Sequence, residues 1–203
     1  MHRWSPLLVA LAALWLAPAV AQTPPTALPV RVAGTVDTLV GDMLAVKAAD
    51  GQVMTVTLKA DAAVYGVEKR TLADIKPGDF IASGGVKGAG DKIHAVELRI
   101  YPEALRGTGE GQRPWAAKTD GVMTNATVGT VTQAPDGSVV HVTFKGGQSE
   151  LTVTPDVPIL AYVAGGRDLL KPGATVLIFA QEQDDGTLTT SRVAAEKDGV
   201  KPL

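Results

Sequence analysis

Gly34-Thr35-Val36 returns as Gly129-Thr130-Val131, and Lys76-Pro77-Gly78 returns as Lys171-Pro172-Gly173, each 95 residues further on. Between these tripeptides Gly51 matches Gly146, Thr57 matches Thr152 and Asp61 matches Asp156 at the same offset. Two tripeptides in one register with intervening identities indicate a duplicated unit. The units are expected near residues 30–101 and 127–198.

Inside each unit the apolar residues alternate. Val30, Val32, Gly34 and Val36 interleave with Arg31, Ala33, Thr35 and Asp37; Met54, Val56 and Leu58 with Thr55, Thr57 and Lys59. Val140, Val142 and Phe144, and Leu151 and Val153, repeat the pattern in the second unit. A period of two with β-branched residues marks strands with one buried face. Gly41-Asp42, Asp50-Gly51, Asp136-Gly137, Gly146-Gly147 and Asp185-Gly186 supply turns between them. Thr71 to Ile75 can form one helical turn before Pro77 stops it, and Gly78 permits the positive φ of the turn that follows. The 4% aromatic content offers little to fill a thick sandwich, whereas Val, Ile, Leu and Ala suit a small closed barrel without free edges. The expected fold is all-β: two tandem small OB-like β-barrels of five to six strands each, related by internal duplication.

Residues 1–21 read as a signal peptide. Arg3 gives the positive start, Leu7 to Leu16 is apolar, and Ala19-Val20-Ala21 is a small-x-small cleavage site. The apolar run is too short to span about 30 Å of hydrocarbon. Cleavage would leave residues 22–203, with a linker at 22–29 and a tail at 199–203, in the periplasm or outside the cell, with no stable membrane insertion. That chain carries 18 basic and 21 acidic side chains, which gives no electrostatic footprint for nucleic acid. The chain has no cysteine, so disulfides, thiolate metal sites and a cysteine nucleophile are excluded.

The Gly-Thr-Val, Asp-Gly and Leu72-Ala73-Asp74-Ile75-Lys76-Pro77-Gly78-Asp79 motifs resemble a bacterial envelope family described only as a domain of unknown function. The segment Tyr101–Trp115 with Met123-Thr124-Asn125-Ala126 is similar to a proteobacterial subgroup often described as a metal ABC transporter permease. The resemblance covers nearly all of the chain after residue 21 and implies a secreted protein of tandem β-rich units. Members of that subgroup often carry His where this chain has Gln112, which weakens a metal role here. A permease needs several membrane-spanning helices, and no stretch after residue 21 is long and apolar enough to be one.

The connector, residues 102–126, is the candidate site, since a loop of this length is functional or a plain linker. Arg106 and Arg113 bracket Gly107, Gly109 and Gly111. Glycine backbone can turn N–H groups toward an anion, and guanidinium groups would reinforce it. Trp115 adds a flat apolar surface. The bland alternative is a strap whose Trp115 fills a gap between barrels. The ligand-binding set is Arg106, Gly107, Gly109, Arg113 and Trp115, for a small anionic ligand or an envelope protein, with no cofactor.

The remaining inventory is thin. His94 is expected at a barrel rim, on one face with Val96, Leu98 and Ile100, while Glu97 and Arg99 point away; His141 is expected in water. Neither has a neighbour at metal-ligand spacing. Ser83, Ser138, Ser149 and Ser191 lack a nucleophile elbow, and Asp184-Asp185-Gly186 reads as a hairpin turn. No catalytic residue and no metal site is assigned. The expected function is a non-enzymatic binding module; the alternatives are an accessory protein in metal handling and, behind it, an envelope-polymer hydrolase.

Overall fold

The computed structural model describes residues 29–88, 92–134 and 137–202; the signal peptide and almost all of the linker read from the sequence lie outside the described residues. The chain is all-β. Its strands are β1 (Val30–Val40), β2 (Met43–Lys47), β3 (Val53–Arg70), β4 (Phe80–Lys87), β5 (Ile93–Tyr101), β6 (Gly111–Pro114), β7 (Gly121–Ala134), β8 (Gly137–Phe144), β9 (Gly147–Val153), β10 (Ile159–Gly165), β11 (Thr175–Glu182) and β12 (Leu188–Ala195). Short 3-10 turns lie at Leu72–Asp74, Glu103–Leu105 and Arg167–Leu169.

Five strands close a mixed barrel in the order β1-β2-β3-β12-β11 and back to β1. All neighbours are antiparallel except β3 and β12. The alternation that marks β1 aims Val32 and Val36 inward, where they meet Leu44, Val46, Val56, Leu58, Val176, Ile178 and Val193. Each such side chain contributes about 1.5–3 kcal/mol on leaving water.

This barrel is not contiguous in sequence. Residues 30–101 do not close a ring by themselves, contrary to the expectation of one barrel per unit: the ring takes β1 to β3 from the first unit and β11 and β12 from the second. The reciprocal strands, β4 and β5 with β7, β8 and β9, pair in the order β5-β4-β7-β8-β9 around Ile81, Leu98, Val128, Val140 and Leu151. The ends of this arc meet through two parallel pairs, Ile93 with Leu151 and His94 with Thr152.

The chain crosses between the two groups through the far half of β3. Residues 64–70 run on to pair antiparallel with β10, and Val67 faces Tyr162, its own counterpart 95 residues later. The flanking pairs, Val64 with Gly165 and Arg70 with Ile159, are mirror images about that point. The local register therefore has two-fold symmetry. In the first unit β3 is unbroken, whereas Pro155 and Pro158 split the equivalent stretch into β9 and β10, because proline cannot donate to a ladder. After β3, Thr71 N–H and hydroxyl both donate to the Asp74 carboxylate at 2.8 Å, and these bonds hold the Asp74 carboxyl below its usual range. Ile75 then enters the second core, and its counterpart Leu170 enters the first. Gly78 and Gly173 turn the chain with φ of 91° and 87°.

Two register expectations are corrected. Val36 exchanges hydrogen bonds with Gly173 and Ala174, and Val128, not Val131, does the same with Gly78 and Asp79. The first strands thus align at an offset of 92, with bulges at Val36/Thr38 and Val128/Thr130; the β7–β8 hairpin, four residues longer, takes β8 to 96, and a next turn one residue shorter returns β9 to 95. In β5 the irregularity opposite Gly84 and Gly85 takes Val96 out of register, so Ile93 and Ala95 face the core ahead of it and Leu98 after it. His94 is exposed and does not share a face with Leu98; Arg99, expected to point away from the core, is buried and ion-paired with Glu97.

Candidate functional site

The connector is more ordered than a free loop. Its residues 103–105 form a 3-10 turn, Gly111–Pro114 form β6 against β7, and residues 121–126 already belong to β7. Gly107, Gly109 and Gly111 adopt φ of 78°, 55° and 123°, conformations that side chains resist. Glu110 accepts from the Lys145 N–H at 3.0 Å and so ties the connector to the β8–β9 turn.

The two connector arginines have different surroundings. Arg106 meets both carboxylate oxygens of Glu103, at 2.6 and 2.7 Å, and donates to the Gly78 carbonyl at 2.9 Å. That pairing holds the Glu103 carboxyl below its usual range. Arg106 thereby fastens the connector to the Lys-Pro-Gly turn. Arg113 donates to the Gly109 carbonyl at 2.9 Å, and no carboxylate forms an ion pair with it among the described residues. It lines a concavity of about 280 Å³ with Lys87, Gln112, Pro114, Asp120, Gly121 and Val122. Lys87 and Asp120 lie outside the set read from the sequence. Lys87 ends β4, which pairs with β7 up to Val86–Gly121, and this brings it to β6.

Trp115 is half-buried and lies on β4. Its backbone N–H donates to the Gly121 carbonyl at 2.8 Å, and its six-membered ring covers Gly84 so closely that a Cβ there would sit 2.8 Å from Cη2. Gly84→Ala is expected to shift the ring toward water and move the Trp115 emission to longer wavelength, with less than about 1 kcal/mol lost from stability because the ring edge can yield. Protein lacking residues 1–21 has no other tryptophan, so fluorescence reads this directly.

A second concavity, of about 340 Å³, lies over β7, β8 and β9. Lys92, Thr130, His141, Gln148, Ser149 and Glu150 are among its lining residues. His141 Nδ1 stands 3.5 Å from Glu150 Oε1 across the β8–β9 ladder. Gln112 reaches across from the connector, with Nε2 3.2 Å from Thr124 Oγ1 and 3.5 Å from Ser149 Oγ.

Elsewhere Tyr65, Tyr162, Tyr101 and Phe80 form a chain of ring contacts at centroid distances of 6.2, 5.2 and 6.1 Å. Burial pushes the Tyr162 hydroxyl well above its ordinary range. These aromatics are far apart in sequence, and only the pairing of β10 with β3 and β5 gathers them. Among the described residues no three His, Asp or Glu side chains cluster in a way that could hold a metal ion, and no helix is long and apolar enough to cross a membrane. No protein-family model, curated protein or solved structure matches this chain.

Proposed function

We propose that this protein is a non-enzymatic binding module of the bacterial cell envelope, built from two OB-like barrels that exchange their last two strands. The signal-like residues 1–21 and the resemblance to a secreted envelope family support the location. A three-strand meander closed by a hairpin with one parallel neighbour is the strand succession of an OB-like barrel, a scaffold whose strand faces and loops carry ligands. The pairs Ile93–Leu151 and His94–Thr152 repeat, shifted by 95, the pairs Leu188–Val56 and Thr189–Thr57 of the closed ring, which supports a second barrel of the same kind.

The ligand is a small anion, or an anionic group on an envelope partner, received by Arg113 and Lys87. The observation that carries this reading is their shared concavity, where neither cation is matched by an ion-paired carboxylate among the described residues. Of the residues first assigned, Arg113 is retained as a ligand contact; Arg106, Gly107, Gly109 and Trp115 shape and hold the connector. Charge-assisted hydrogen bonds to such a ligand contribute about 1.5–3 kcal/mol each. The double variant Lys87→Ala/Arg113→Ala is therefore expected to weaken binding of inorganic phosphate by about tenfold or more. Amide shifts in an NMR titration should localise to residues 87, 112–114 and 120–122. Binding unchanged in the variant, or shifts located elsewhere, contradicts the assignment.

A further inference from the structure

The cationic concavity also holds a charge of opposite sign, and the backbone fixes where it stands. The Lys87 N–H donates to the Asp120 carbonyl at 3.3 Å, just past the Val86–Gly121 pair that ends the ladder between β4 and β7. Asp120 belongs to a turn in which the Trp115 backbone N–H donates to the Gly121 carbonyl at 2.8 Å and the Gly121 N–H to the Lys118 carbonyl at 3.1 Å. Gly121 has no room for a side chain there, since a Cβ would collide with the Trp115 carbonyl oxygen. Asp120 itself takes a φ of 54°. Among the described residues Asp120 and Asp198 alone hold a positive φ without being glycine. Asp198 pairs its charge with Lys197 at 2.8 Å. Asp120 forms no ion pair among the described residues, and it lines the concavity with Lys87 and Arg113. A position that glycine would fill with less strain thus presents a carboxylate beside two cations.

We infer that this concavity takes a short aminoalkyl phosphate, with the phosphate on Lys87 and Arg113 and a primary ammonium on Asp120. The inference rests on the anion-binding reading of Lys87 and Arg113 and names the ligand class. Beside a plain anion the Asp120 charge is repulsive, whereas an ammonium on the same molecule turns it into the acceptor of a charge-assisted hydrogen bond. Lys87, Arg113 and Asp120 together carry one positive charge. An aminoalkyl phosphate monoester carries about one negative charge at neutral pH, which a lipid headgroup, a phosphodiester, does not. At about 280 Å³ the space falls below the roughly 300–1,000 Å³ of drug-sized pockets, so the ligand is small. A quaternary ammonium fits poorly, because it has no N–H to donate and is recognised by aromatic cages, and no aromatic residue lines this concavity. A calcium ion bridging to the phosphate also fits poorly: Asp120 is the one carboxylate of the lining, and calcium takes about six to eight oxygens.

The test uses the chain from residue 22 onward and isothermal titration with phosphoethanolamine, ethyl phosphate, phosphocholine and glycerophosphoethanolamine. Phosphoethanolamine is expected to bind about fivefold more tightly than ethyl phosphate or phosphocholine, and more tightly than the diester. Asp120→Asn is expected to remove the preference over ethyl phosphate and leave thermal unfolding unchanged, because asparagine also tolerates the left-handed backbone. Lys87→Ala/Arg113→Ala is expected to weaken every one of these ligands. Ethyl phosphate bound as tightly as phosphoethanolamine, or a preference that survives Asp120→Asn, overturns the inference and leaves the anion site standing. Glycerophosphoethanolamine bound as tightly as phosphoethanolamine overturns the monoester assignment and points to a lipid headgroup. Failure of the unmodified protein to bind any of the phosphates overturns the anion-binding reading as well.

Discussion

Protein ending at Gly173 is expected to lose the packed first core, with a transition well below that of the full chain and a large loss of β-sheet circular dichroism. The deletion removes β11 and β12, although it leaves residues 30–101 whole. It strips Val176, Ile178, Ala180, Val193 and Ala195 from the core that Val32, Leu44 and Leu58 depend on, and leaves both β1 and the near half of β3 as raw edges. Each large apolar side chain so exposed forfeits about 1.5–3 kcal/mol, against a total stability of about 5–15 kcal/mol for a protein of this kind. The loss exceeds what the remaining barrel strands can supply. If residues 30–101 closed on themselves, the truncated protein would keep that core and melt close to the full chain. Thermal scans of the two lengths side by side distinguish these outcomes.

The second large effect concerns cooperativity. Leu58 sits in the first core and Leu151 in the second, at 2% and 0% exposure. Leu58→Ala and Leu151→Ala should each cost about 2–5 kcal/mol, the range for a buried leucine whose cavity is only partly refilled. Because each core draws strands from both units and β3 runs through the junction to β10, both substitutions should move one common transition. Denaturant curves followed by Trp115 fluorescence, which reports near β4, and by circular dichroism should coincide in both variants. Two separated transitions, with only one displaced by each substitution, would mean that the cores fold independently.

Much of this architecture is legible in the sequence because its causes are local. Alternation placed Val32, Val36, Val56, Val140 and Leu151 on buried faces, and the turn chemistry of Lys76-Pro77-Gly78 and Lys171-Pro172-Gly173 marked one 3-10 turn and one tight turn in each unit. The exchange of strands left no such mark. A ring closed by β4 or by β11 presents the same kinds of side chain to β1, so local pattern is silent on which is used. What decides it is the extension of β3 through Val64, Tyr65 and Val67, and of β10 through Leu160 and Tyr162, which carries the chain past the ring before it turns. That stretch, rich in strand formers in both units, was the available signal. The tripeptide match at Gly34 and Gly129 misled by three residues because a hairpin four residues longer, followed by a turn one residue shorter, lies between the first strands and the rest.

The candidate site was legible only in part. Glycine spacing and the two arginines located the connector, but the sequence could not foresee that Glu103 and Gly78 would occupy Arg106, since those contacts depend on a 3-10 turn and a distant loop. Lys87 and Asp120 entered only through the pairing of β4 with β7. The polar set on β8 and β9 was visible as single residues, His141 above all.

The closing of the first ring by β11 and β12 underlies the fold, and interstrand nuclear Overhauser contacts test it most directly. Contacts from Val32 to Ile178 and from Gly34 to Val176 are expected, as β1 and β11 are neighbours. Contacts from Val32 to β4 near Ser83, with none to β11, would show a barrel closed within residues 30–101 and would contradict the account.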